Sequence, residues 1–198
     1  MLITEVFGKE LNYIQNVEFK KICIEMLNAM PQYIITQPSS SGGKYHPTDE
    51  IGADGMIRHI KRCVLLAQET CVMYDIPAKD KDVLIAGCLF HDSLKMGPNE
   101  IPSGLKVYTN PNHPIYAFEY IKKYADKTEE PKLKRLLQKL AFVCLYHEGK
   151  WTIEASKQLA AIPNDYIQFL CDTMHLIDFF ASRRSVYEIM QSTFMEKK

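Results

Sequence analysis

The sequence is short of several things, and each shortage removes a class of protein. Its 24 lysines and arginines are matched by 24 aspartates and glutamates. That balance lacks the basic excess with which proteins grip duplex nucleic acid, although a local basic groove is compatible with it. No apolar run approaches the roughly 20 residues of a membrane-spanning helix, and the opening MLITEVFGKELNYI has no basic start followed by an apolar core. A soluble, cytoplasmic protein with no membrane partner is therefore expected. The cysteines, Cys23, Cys63, Cys71, Cys88, Cys144 and Cys171, form no CxxC pair and each sits in an apolar, helix-like context. They read as reduced core residues and not as a disulfide framework. The Gly42-Gly43-Lys44 run lacks the spaced first glycine and the following Ser or Thr of a phosphate loop. Internal repeats, low-complexity tracts and β-type alternation are missing too, which predicts an all-α fold.

What is present is organised around Lys79 to Lys95, KDKDVLIAGCLFHDSLK. From Val83 to Phe90 the run is apolar on every side, as suits a segment enclosed by other elements. Such a segment should not end in His91-Asp92 without compensation, because a buried ionised carboxylate is costly unless it is paired or bound to a metal. On a helix, Lys95 follows His91 by four positions and Asp92 by three, and so shares their side.

Around this stretch the spacing of apolar residues predicts a compact bundle of about six to eight helices. A first helix is expected over 10–30, closed by Pro31, followed by a surface loop over 37–52 rich in Pro, Ser and Gly. A second helix is expected over 54–73, with His59 bordering its apolar stripe, and Asp80 or Asp82 stands ready near the start of the next. The Gly-, Pro- and Asn-rich segment over 96–112 is long enough to be a lid or binding loop. Asn110-Pro111-Asn112-His113-Pro114 places His113 at a helix start. A further helix over 130–147 carries His147 at the end of its apolar stripe, and one over 163–182 carries Asp178 at a core position. A last amphipathic turn or two is expected over 186–194. The expected division is an N-terminal helix and loop extension over 1–44, a core over 45–184 and a C-terminal helix over 185–198.

His59, His91-Asp92, His113, His147 and Asp178 thus stand on five separate predicted helices, each at an inner face or an end. Imidazole and carboxylate without thiolate suit Mn, Fe, Co, Ni or Zn, with Mg possible at a carboxylate-rich subsite. Four histidines and two aspartates exceed what one open ion needs, so two ions bridged by Asp92 are the economical arrangement. His175, one turn before Asp178, is placed to orient it. Tyr108, Tyr116, Tyr120, Tyr146 and Trp151 flank these residues; core packing is their default role, with one or two free to stack on a base.

The ordered set resembles the HD-domain superfamily of metal-dependent phosphohydrolases, whose pattern is H…HD…D, and in particular its two-metal members with H…HD…H…H…D. HDSLK is similar to the usual HDxxK, and HPIYA, LYHEG and LIDFFASRR are similar to the contexts of the later sites. Leu94 stands where many members have glycine, and the extra Gly-Tyr-Pro signature of cyclic-di-GMP enzymes is absent. The resemblance implies a first ion held by His59, His91, Asp92 and Asp178, and a second held by Asp92, His113 and His147. It implies attack of metal-activated water on a phosphoester or phosphoanhydride in a small nucleotide-type substrate. Asp92 and Lys95 would then serve catalysis, Lys95, Arg183 and Arg62 would hold substrate phosphate, and His46 would touch substrate from its loop. Two rivals remain: a two-iron HD-type oxygenase, which keeps the same ligand order, and, ranked lower, a 3′ exonuclease on single-stranded nucleic acid, since KYHP followed by GADGMIRH loosely resembles the HD region of certain 3′ exoribonucleases. Nothing in the sequence sets the oligomeric state.

Overall fold

The computed structural model describes residues 2–40, 44–101 and 108–184, and among them every regular element is helical. The expected helix over 186–194 lies outside the described residues. In chain order the α-helices are α1 (Ile3–Val6), α2 (Gly8–Leu11), α3 (Val17–Asn28), α4 (Gly55–Met73), α5 (Ala78–Phe90), α6 (His113–Lys127), α7 (Pro131–Leu145), α8 (Glu154–Leu159) and α9 (Asp165–Ala181). Short 3-10 turns at Gln32–Ile35, Thr48–Glu50 and Gly149–Trp151 punctuate the connections.

The starts of these helices follow from local chemistry. Asn16 and Asn164 accept from the main-chain N–H of Phe19 and Ile167, three residues on, and so open α3 and α9. Glu130 does the same for α7 ahead of Pro131, and Pro114 occupies the first turn of α6, where its missing N–H costs nothing.

The apolar run from Val83 to Phe90 forms the enclosed rod: every one of its side chains is buried. α5 packs against α4, α7 and α9. At Gly87 the neighbours come closest, since a Cβ there would lie 2.8 Å from Val143 Cγ1 and 3.3 Å from Met174 Sδ. Val143, Met174 and Gly87 each precede, by four residues, a side chain of the site: His147, Asp178 and His91. The three helices therefore touch one turn before their functional residues.

Three expectations are corrected. The first long helix begins at Val17, because the main-chain N–H groups of Gln15 and Asn16 are both taken by the Asp82 carboxylate at 2.8 Å and cannot join a helix. Asp82 is thus a tether between the N-terminal segment and α5, and not a cap. Asp80, also buried, holds Lys139 and the Tyr166 hydroxyl, the latter at 2.7 Å, which ties α5 to α7 and α9. The loop over 37–52 also turns inward where a surface course was expected. Ser39 and Glu50 are buried, and Ser39 N–H donates to the Glu50 carbonyl at 3.0 Å. The close return is allowed by Gly55, where a Cβ would meet that same carbonyl oxygen at 2.0 Å.

All six cysteines are buried and unbridged. Among the described residues no helix is long and apolar enough to cross a membrane.

Candidate metal centre

His59 projects from α4, His91 and Asp92 follow the last turn of α5, His113 opens α6, His147 lies just beyond α7, and Asp178 sits in the last turn of α9. All six side chains converge. The imidazoles fall into two pairs around the Asp92 carboxylate. Oδ1 faces His113 Nε2 at 3.3 Å and His147 Nε2 at 3.7 Å, whereas Oδ2 faces His91 Nε2 at 3.6 Å and His59 Nε2 at 3.8 Å. Asp178 Oδ1 adds a second carboxylate to the latter pair, 3.0 Å from His59 and 3.6 Å from His91. Lys95 Nζ, 2.5 Å from Asp92 Oδ2, shares the helical side expected of it.

Within each pair the Nε2 atoms meet head on, at 3.3 Å for His59 and His91 and 3.2 Å for His113 and His147. His91, His113 and His147 turn Nδ1 towards main-chain carbonyls, of Cys88 at 3.0 Å, Asn110 at 2.8 Å and Cys144 at 2.7 Å. A carbonyl can only accept, so each of these three Nδ1 atoms carries a proton and Nε2 is the ring atom left to face a cation. His147 is held neutral by burial and by its neighbours His91 and His113, which push its pKa down to about 3. Two Nε2 atoms facing each other across 3.2 Å need a cation between them, either a shared proton or a metal ion. Two nitrogens bound about 2.0–2.1 Å from one ion at 90–110° are about 2.9–3.4 Å apart, and both pairs fall in that range.

The carboxylates suit the same role. Burial alone would protonate Asp92, but Lys95, His91 and His113 outweigh it and hold the group well below the usual carboxylate range. At Asp178 burial is likewise overcome, by the hydrogen bonds and charge of His59 and His91. The donor atoms of His59, Cys63, His91 and Asp178 lie within 4.8 Å of one another, as do those of Asp92, His113 and His147. Cys63 Sγ lies 3.6 Å from His59 Nε2, and burial raises its thiol pKa despite His59.

A family model described as HD domain matches residues 56–177. That is over half of the chain. The chain belongs to the HD-domain family. HD domains are generally metal-dependent phosphohydrolases that bind divalent metals, and the histidine and aspartate clusters of this chain fit that chemistry. No curated protein and no solved structure matches the chain.

One residue of this HD domain had no sequence signal. His59 alone of the four histidines has no carbonyl behind its ring; its Nδ1 is buried without a hydrogen bond and lies 3.5 Å from Glu50 Oε2. Glu50, fully buried, also holds His46 Nδ1 at 2.8 Å, Ser39 Oγ at 3.1 Å and the Arg62 guanidinium. Its only hint was its place in the loop just ahead of the first histidine-bearing helix.

The remaining candidates are spread more widely. Arg62 is engaged by Glu50 and by Asp49 at 3.2 Å. His175 Nδ1 binds the His147 carbonyl at 2.9 Å, and so supports the other end of the site from the Asp178 it was expected to orient. Tyr120 and Tyr146 serve packing, with hydroxyls on the Met26 and Ala160 carbonyls. His46 and Arg183 reach a cavity of about 650 Å³ that borders the centre at Asp178 and is also lined by Tyr45, Glu148 and Trp151. Asp178 is the most accessible of the six converging side chains, at 24 % side-chain exposure against 3 % for Asp92.

Proposed function

We propose that this HD domain hydrolyses a phosphoester or phosphoanhydride bond in a nucleotide-type substrate, with two divalent transition-metal ions as cofactors. His59, His91, Asp92 and Asp178 would hold one ion, and Asp92, His113 and His147 the other. The observation that carries this reading is the Asp92 carboxylate, whose two oxygens face two different imidazole pairs. A single ion has no use for both. Metal bound there supplies Lewis-acid polarisation of the phosphoryl oxygens and a water acidic enough to act as a nucleophile near neutral pH.

The chain's own groups supply the rest. Lys95 neutralises the bridging carboxylate and fixes its rotation through the bond to Oδ2. The burial of His59, His91, His113 and His147 keeps bulk water from competing for the centre, and the accessible side at Asp178 leaves the cavity as the substrate's route. Arg183 lines that cavity with a guanidinium that suits a phosphate fork.

The test is a panel of phosphomonoesters, phosphodiesters and nucleotides offered to protein loaded with Mn or Fe. Release of phosphate or nucleotide that Asp92→Ala abolishes is the expected result. Absence of turnover on the whole panel by correctly metallated protein overturns the proposal. O₂ consumption together with a mixed-valent iron signal in electron paramagnetic resonance would replace hydrolysis by oxygenase chemistry.

A further inference from the structure

One wall of the cavity beside Asp178 is built as a ladder of rings and cations. The Arg183 guanidinium carbon lies 3.8 Å from the centroid of the Phe179 ring and 5.1 Å from that of Tyr45. Phe179 and Trp151 are within 10° of parallel with centroids 6.1 Å apart, and Lys150 Nζ lies 4.6 Å above the indole. All five residues line the cavity. Two of them keep capacity for a ligand. The Arg183 guanidinium stacks on rings without a salt bridge among the described residues, and its buried Nε makes no hydrogen bond. Trp151, the single tryptophan of the chain, is 52 % exposed at this wall. An indole left in water beside a reaction centre, with a pre-oriented guanidinium near it, is a platform for a planar anion.

Resting on the hydrolase reading above, we infer that this wall is the nucleoside subsite: the base stacks on Trp151, and Arg183 with Lys150 takes the phosphate. The base displaces the exposed Lys150 ammonium from the indole face, because an exposed cation–π contact is weaker than a base–aromatic stack. That displacement frees the ammonium for phosphate. Stacking carries no donor–acceptor code, so the subsite accepts purines and pyrimidines alike and rejects a sugar phosphate that has no base. A volume of about 650 Å³ is that of a small-ligand pocket. The occupant is therefore a free nucleotide and not a strand.

The sole tryptophan makes the test direct. AMP, CMP, ribose 5-phosphate and a deoxyadenylate decamer are titrated into the metal-loaded full chain, with intrinsic emission and calorimetry read together. AMP and CMP should quench Trp151 saturably with dissociation constants within about tenfold of each other. Ribose 5-phosphate should bind at least about tenfold more weakly and leave the emission unchanged. By calorimetry Trp151→Phe should keep AMP affinity within about threefold and Trp151→Ala should lose about tenfold or more, both sparing ribose 5-phosphate. AMP that binds without quenching, ribose 5-phosphate that binds as well as AMP, or no nucleotide binding at all overturns the subsite. A decamer that binds more tightly than AMP overturns it in favour of a strand. The subsite and the reaction fail separately: turnover of base-free esters without AMP quenching rejects the subsite alone, and quenching without any turnover rejects hydrolysis alone.

Discussion

The two imidazole pairs around Asp92 look alike from the centre and differ behind it. His113 and His147 are both oriented by the main chain, through the Asn110 and Cys144 carbonyls three residues upstream. His91 is oriented in the same way, but its partner His59 faces a side chain, Glu50, which is itself held by Ser39, His46 and Arg62. A main-chain carbonyl is present whatever residue supplies it, so one half of the site is less sensitive to side-chain substitution behind its ligands. The other half depends on a buried carboxylate whose every contact can be altered by mutation. On the two-ion proposal, the contrast teaches that one ion's affinity would be open to tuning at a distance while the other's would not.

The sharpest break of this contrast is at the residue both halves share. Asp92→Ala should empty both sites, so that elemental analysis finds less than one ion per chain and turnover falls to background. His113→Ala should remove only one ion of two, which a metal count per chain reads directly; retention of both ions would mean that the halves are not independent. Glu50→Gln tests the asymmetry itself. It should weaken one site by about 10–100-fold in a metal titration and leave the other within about twofold. Equal weakening of both would show that Glu50 acts on the fold and not on His59. The smallest effect belongs to the main-chain half, where Cys144→Ala keeps the carbonyl and should change the affinity of the His113 and His147 site by no more than about twofold.

What could be read from the sequence, and what could not, divides along similar lines. His59, His147 and Asp178 stand on or at the ends of apolar helical stripes, and His91 closes a run apolar on every side, so each was placed inward by its apolar context; the structure brings them together with Asp92 and His113. The enclosed character of Val83 to Phe90 was legible for the same reason, since no face of the run is polar. Glu50 was not legible because a buried loop carboxylate obeys no period, and its burial depends on Gly55 letting the chain fold back on itself. The start of α3 was missed because the apolar spacing continues through Ile14, while the decision to break the helix rests with Asp82, 66 residues away from Asn16. The aromatic wall was hidden in plain composition: Tyr45, Trp151 and Phe179 come from three parts of the chain and meet only in the folded protein.

Gly87 has a consequence beyond packing. Because Gly87, Val143 and Met174 meet one turn before His91, His147 and Asp178, the absence of a single methyl group lets the three helices close up beside those residues. Any side chain at position 87 would act as a shim between α5 and its two neighbours, widening the gap among donors that must stay within a few tenths of an ångström of their distances to an ion. Residue 87 thus acts on the site from a distance, as a spacer between helices and not as one of its donors.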